Sequence, residues 1–240
     1  MNCLLTTLKE DVIGNLPFID SVRIEIDATQ AALVSDANRV INLNSWEANK
    51  LSLKNIGGTF LDSNGQSIGT EITITSFGGD NYIRYSANTK IILIVGKHYL
   101  RDLAVFTSGT NAEIATVNFD DLQGCDRLRQ LSVGSRNQTG NIAKIVSTEL
   151  GLLNINNAPV TGDIATLGNK PLTYFVSSGR STVYGDFADW IPYKTTAVNV
   201  TYICDASTVG NIKINGVTLV SSGTYTLVFD GQGGLTYVRN

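Results

Sequence analysis

The chain has 240 residues, 16% of them charged, and a net charge of −3 at neutral pH. That length allows one large or two ordinary domains with a substantial core, and that balance excludes both the basic signature of a nucleic-acid binder and the like-charge runs of a polyelectrolyte tail. Cys3, Cys125 and Cys204 lie far apart with no Cys-x-x-Cys pair, and with the single histidine, His98, they build neither a disulfide framework nor a zinc site. They read as free thiols of a protein made in a reducing compartment. The first residues lack the basic start of a secretory signal, and no stretch approaches the roughly eighteen apolar residues that span a bilayer. No metal, cofactor, nucleic acid or membrane is therefore expected.

Residues 1–18 form a separate arm. Leu4, Leu5, Leu8 and Val12 have helix-like spacing, and Asn15-Leu16-Pro17 closes the segment. Such an arm packs on its own chain or on a neighbouring subunit.

Residues 19–116 have the texture of a β-domain. Val22, Ile24 and Ile26 alternate with Arg23, Glu25 and Asp27, and Ile72 and Ile74 alternate with Glu71, Thr73 and Thr75, the period of a strand with one wet face. Asn64-Gly65 and Gly78-Gly79-Asp80-Asn81 mark tight turns. Lys90 to Val95 alternates too little for a half-exposed strand and is expected in the middle of a sheet. Short strands at intervals of about ten residues predict a β-sandwich-like arrangement. A short helix is expected only in Ala28 to Ala37 and Ser45 to Asn49.

Residues 117–205 carry a repeat. Gly140-Asn141-Ile142, Gly162-Asp163-Ile164 and Gly185-Asp186-Phe187 place one triplet at spacings of 22 and 23 residues. Each triplet has a further apolar residue three places after its own: Ile145, Leu167 and Trp190, with Phe119 and Leu122 one period earlier. Leu128, Leu131 and Val133, then Leu150, Leu153 and Ile155, then Leu172 and Phe175 share a Leu-x-x-Leu-x-apolar spacing. A period of roughly 20–29 residues with that spacing marks a short leucine-rich-repeat-like solenoid. One such turn encloses no core, so its apolar residues are covered only by the turns above and below. The triplet glycines mark bends, where a residue without Cβ accepts positive φ. Residues 206–240 then alternate with period two, broken by Asn215-Gly216, Ser221-Ser222-Gly223 and Asp230 to Gly234, which predicts a C-terminal antiparallel β-meander capping the solenoid. The fold class is thus mainly β.

Catalytic chemistry finds little material. His98 is the one available imidazole base, with Asp102 nearby in sequence to orient it, and one residue type does not make a site. Asp163 and Asp186 occupy equivalent repeat positions, but Asn141 holds the same place one turn earlier, which points to turn capping rather than to acid–base work. No catalytic and no metal residues are assigned. The solenoid offers instead a surface of outward-facing strand positions, and Gln130, Ser132, Asn154, Asn156 and Tyr174 are the residues expected to bind a glycan or a polar protein partner.

The opening Cys3-Leu4-Leu5-Thr6-Thr7-Leu8-Lys9, with Asn15-Leu16-Pro17 and Val22-Arg23-Ile24, resembles the N-terminal motif of virion proteins in crAss-like and related phages of Bacteroidales. Those proteins carry leucine-rich turns reading Thr-Gly-Asp-Ile, as Thr161-Gly162-Asp163-Ile164 does here. The chain departs from the usual leucine-rich pattern at Arg136, Ala158 and Arg180, which stand where a ladder asparagine is customary. The resemblance implies a non-enzymatic structural protein of the virion, a head or tail fibre or appendage made in the host cytoplasm. In that role Leu4, Leu5, Leu8, Val12 and Leu16 dock the arm on other virion proteins. The chain is then expected to be homo-oligomeric and to present its β-rich domains to a host-surface glycan or protein. The alternatives are a bacterial leucine-rich-repeat adhesin and a carbohydrate-active virion enzyme.

Overall fold

A computed structural model describes residues 20–76, 81–105, 114–134 and 136–240. The arm with Leu4, Leu5, Leu8, Val12 and Leu16 and the turn at Gly78 to Asp80 lie outside the described residues. The protein is mainly β, built on large sheets. Among the described residues the single α-helix is Ala28–Ala31, started by Asp27, whose carboxylate accepts from the backbone N–H of Thr29 and Gln30. The expected second helix does not form: Ser45 ends the strand Val40–Ser45, and the chain turns instead, with Asn49 at φ +62°. No helix among the described residues is long and apolar enough to cross a membrane.

One sheet has five strands in the order Ala115–Val117, Ser21–Ile26, Ile91–Val95, Ser52–Ile56, Glu71–Thr73, with every neighbouring pair antiparallel. Ile91–Val95 is its central strand, and Ile92, Leu93 and Ile94 are all buried, as a segment covered on both faces must be.

A second sheet has eleven strands and runs through most of the chain. Its order is Leu235–Arg239, Gly223–Phe229, Val198–Cys204, Tyr174–Ser177, Leu152–Asn154, Gln130–Val133, Leu100–Val105, Val40–Ser45, Asn81–Tyr85, Phe60–Leu61, Ser67–Gly69. The five strands from Leu100–Val105 to Val198–Cys204 pair in parallel, and the flanking pairs are antiparallel. Register aligns Leu103, Leu131, Leu153, Phe175 and Tyr202 into one column, each at most 1% exposed. Strands of period two point this column to one face and leave the neighbouring residues on the other.

The third sheet is Gly140–Asn141, Val160–Asp163, Thr182–Asp186, Ile212–Ile214, Val217–Thr218, parallel except for its last pair. Each of its first three strands runs into a 3-10 turn: Ile142–Lys144, Ile164–Leu167 and Phe187–Tyr193. These turns start alike, because Asn141, Asp163 and Asp186 each accept a 2.9 Å bond from the N–H two residues on. Asn118 does the same for Phe119–Leu122. Ile142, Ile164 and Phe187 are fully buried and share one apolar cluster with the residues of the other two sheets.

Adjacent turns are staggered. Gly162 pairs with Val183 rather than with Gly185, and Asp163 pairs with Tyr184. The stagger seats each glycine on the turn before it: Gly162 over Asn141 and Ile142, Gly185 over Asp163 and Ile164. Both have positive φ, and neither has room for a Cβ. A column of donors lies on the inside of the same turns. Ser147 Oγ donates to the Leu128 carbonyl at 2.7 Å, with the Asp126 carbonyl also in reach, Lys170 Nζ to that of Ser147 at 2.8 Å, and Lys194 Nζ to that of Lys170 at 2.5 Å. These side chains meet carbonyl groups that would otherwise be buried without a partner.

Candidate binding site

The outward face of the eleven-strand sheet holds a polar hollow where the parallel series meets its antiparallel neighbour. Leu100–Val105 pairs antiparallel with Val40–Ser45 on one side and parallel with Gln130–Val133 on the other. Opposite Val40–Ser45 the register slips, since Ser45 faces Leu100 while Asn44 faces Asp102. Arg101 is the extra residue of a β-bulge. Strict alternation would send Arg101 and Asp102 to opposite faces, and the bulge turns both toward the same depression.

The hollow has a volume of about 240 Å³ and is lined by Asn42, Asn44, Arg101, Asp102, Leu103, Ala104, Gln130 and Ser132. Register explains its shape. Asn44, Asp102 and Gln130 form one row across three strands, and Asn42, Ala104 and Ser132 form the next. Ala104 is the short residue between two longer polar ones, so the face dips there.

Among the described residues the side chains of Asn42, Gln130 and Ser132 make no hydrogen bond to the protein, although all three are partly buried. Asn44 is 4% exposed, and its side-chain oxygen accepts from Ser45 N–H at 3.1 Å, which leaves its NH2 as the group offered to a ligand. Arg101 Nε lies 3.6 Å from Asp102 Oδ2. This pair brings one positive and one negative charge, so the hollow carries no net charge of its own. The Arg101 guanidinium also stacks on Trp46 at 5.0 Å, with Arg127 against the same ring at 4.8 Å, and Trp46 Nε1 donates to the Arg127 carbonyl at 2.7 Å. Held by the indole, Arg101 keeps a defined orientation at the rim.

Of the residues expected to bind, Gln130 and Ser132 meet in this hollow. Asn154 lies beside Ser132 in register, but its side chain accepts from Asn156 N–H at 3.0 Å and so shapes a turn. Asn156 accepts from Ser178 Oγ at 2.6 Å, tying two successive turns together. Tyr174 is two strands from Gln130, with Leu152 between them. Sequence reasoning missed Asn42, Asn44, Arg101 and Ala104, and considered Asp102 only as an orienter for His98. One signal was present: the buried residues Leu100, Leu103 and Val105 are separated first by three places and then by two, which marks a bulge.

His98 Nδ1 lies 2.7 Å from Asp126 Oδ1 and not against Asp102, and both side chains are more than half exposed. Asp163 and Asp186 serve as the caps described above. Among the described residues no group of three or more His, Cys, Asp or Glu side chains is placed to hold a metal ion. A second cavity of about 440 Å³ lies along Asn169 to Thr173 and Tyr193 to Val198. The ammonium groups of Lys170 and Lys194 at its edge point inward to the carbonyl column, and burial pushes the Lys194 ammonium down to about 8.

Compared with known proteins, the chain matches no family model, no curated protein and no solved structure.

Proposed function

We propose that this chain is a non-enzymatic structural protein of a phage particle, a head or tail fibre or appendage. It docks through its N-terminal arm and engages the host surface with the outward face of the eleven-strand sheet. In this reading residues 117–205 are a leucine-rich-repeat-like solenoid, residues 19–116 a β-sandwich-like domain closing one end, and residues 206–240 a meander closing the other. The parallel columns, the recurring caps at Asn118, Asn141, Asp163 and Asp186, and the antiparallel pairs at both ends support that architecture.

The observation that carries the binding role is the hollow at Ala104, where amide and hydroxyl side chains stand partly buried with no hydrogen bond to the protein. Water reaches these groups in the free protein, and a ligand rich in hydroxyls or amides can take its place with several hydrogen bonds at once. The use of Asp163 and Asp186 as backbone caps supports a binder over a glycosidase, because each carboxylate already has a structural partner. The virion assignment rests on the resemblance of the opening motif and of the Thr-Gly-Asp-Ile turn. Deleting residues 1–18 is expected to give a folded protein that no longer enters particles, and unchanged incorporation would overturn the docking role.

A further inference from the structure

We infer that the hollow at Ala104 takes one residue of an uncharged, hydroxyl-rich sugar chain, with the side chains of Asn42, Gln130 and Ser132 bonding its hydroxyls. The inference rests on the binding role proposed above and names its ligand class.

Charge points to a neutral ligand. A site for an anionic sugar or a phosphate would present surplus cations. Among the described residues the ionic groups lining the hollow are Arg101 and Asp102, which lie 3.6 Å apart with opposite charges. The nearby Arg127 is likewise matched by Glu149 at 3.7 Å. A charged ligand would have to break one of these pairs and leave its partner uncompensated.

The pattern of donors and acceptors suits a diol. A sugar hydroxyl donates one hydrogen bond and accepts others, so a diol suits a site that alternates acceptors with donors. The row Asn44, Asp102, Gln130 places a carboxylate between two amides on strands about 4.8 Å apart. The amide NH2 groups of Asn44 and Gln130 donate to hydroxyl oxygens of the sugar, and the Gln130 side-chain oxygen accepts from a hydroxyl. Asn42 and Ser132 repeat the arrangement in the next row, across the short Ala104.

Size and surroundings fit one ring of a chain. About 240 Å³ is smaller than the roughly 300–1,000 Å³ of pockets that enclose a whole small molecule. It admits a single ring of a longer chain that continues over the sheet. On one side the next strand presents Tyr82 opposite Asn42, 66% exposed. On the other, Tyr174 stands two strands beyond Gln130. Aromatic rings flanking a polar hollow give the apolar faces of adjoining sugars a surface to lie on.

The test uses the full chain in calorimetric titrations with neutral oligosaccharides (gluco-, manno- and galacto-series), with a polyuronate and with an unstructured neutral peptide. At least one neutral series is expected to bind. Ala104→Leu, which fills the hollow from its floor, is expected to abolish that binding with the near-UV spectrum unchanged. Gln130→Ala and Ser132→Ala each should weaken it about tenfold or more. Binding retained in Ala104→Leu, preference for the polyuronate or the peptide, or no neutral series bound would each overturn the inference. Particle incorporation of Ala104→Leu is scored separately: normal entry alongside lost sugar binding supports the assignment, while a failed arm deletion bears on the docking role alone.

Discussion

An ideal Cβ built on Gly185 would lie 2.5 Å from Asp163 Oδ1, so the cap of one turn occupies the space a side chain on the next would need. Gly185 also has φ +128°, a conformation L side chains rarely adopt. Gly185→Ala is therefore expected to destabilise the fold by about 2–4 kcal/mol, through overpacking and backbone strain together. Gly233 has φ +96° but nothing within 4 Å of its Cβ position, and Gly233→Ala should cost only about 1 kcal/mol. Equal urea midpoints for the two variants would show that close stacking is not what selects glycine in the repeat.

Capping at Asp163 separates charge from geometry. Its Oδ1 accepts from Ala165 N–H, the bond that Asn141 makes to Ala143 one turn earlier. Asp163→Asn should leave stability within a few tenths of a kcal/mol, whereas Asp163→Ala should cost about 1 kcal/mol. A large loss with asparagine would mean that the carboxylate charge matters at this position.

Lys194 makes stability depend on pH in a defined direction. Burial lowers its folded-state value to about 8 from the ordinary 10.5. Between those values the unfolded chain holds the proton and the folded chain has released it, so stability rises with pH across that window; below about 8 both states are charged and the folded state carries the cost of burial. Relative to Lys194→Met, which keeps the stem without the charge, the native protein should gain in urea midpoint from about pH 7.5 to about pH 10, a span that covers most of that window. A gap between the two proteins that does not change with pH would refute the assignment.

Cys125 and Cys204 are both buried, and burial pushes the Cys125 thiol up to about 12 and the Cys204 thiol upward as well. Thiolates are the reactive species, so both should resist alkylation in the folded protein and react together once it is denatured. Peptide mapping after timed labelling checks this, and rapid native modification at Cys125 would place it on a more open surface than the fold allows.

Much of the apolar framework was legible in the sequence. Leu131, Leu153 and Phe175 are spaced by one period and end in one column, and Ile142, Ile164 and Phe187 are buried on the turns where spacing put them. The shared cap of Asn141, Asp163 and Asp186 was readable as well, because it is a bond to the backbone two residues away. The site was legible only in part. Gln130 and Ser132 follow from the outward phase of a single strand, while Asn154 and Asn156 share that phase and turn out to use their side chains in turns. Phase tells which way a side chain leaves the strand; it says nothing about which group is waiting there.

What the sequence determined by itself is periodic and local: the apolar face of each segment, the caps, the tight turns and the spacing of the repeat, all set by interactions within a few residues or by one turn on the next. Only the tertiary structure decided that Val40–Ser45 lies beside Leu100–Val105 and that Leu100–Val105 begins the parallel series. It also decided that the mismatch of that antiparallel pair is absorbed by a bulge at Arg101. The reason is that strand order and register depend on pairings between distant segments, and many orders satisfy the same alternation. The hollow at Ala104 exists because three strands far apart in the chain bring Asn42, Asp102 and Gln130 together, and no local pattern contains that proximity.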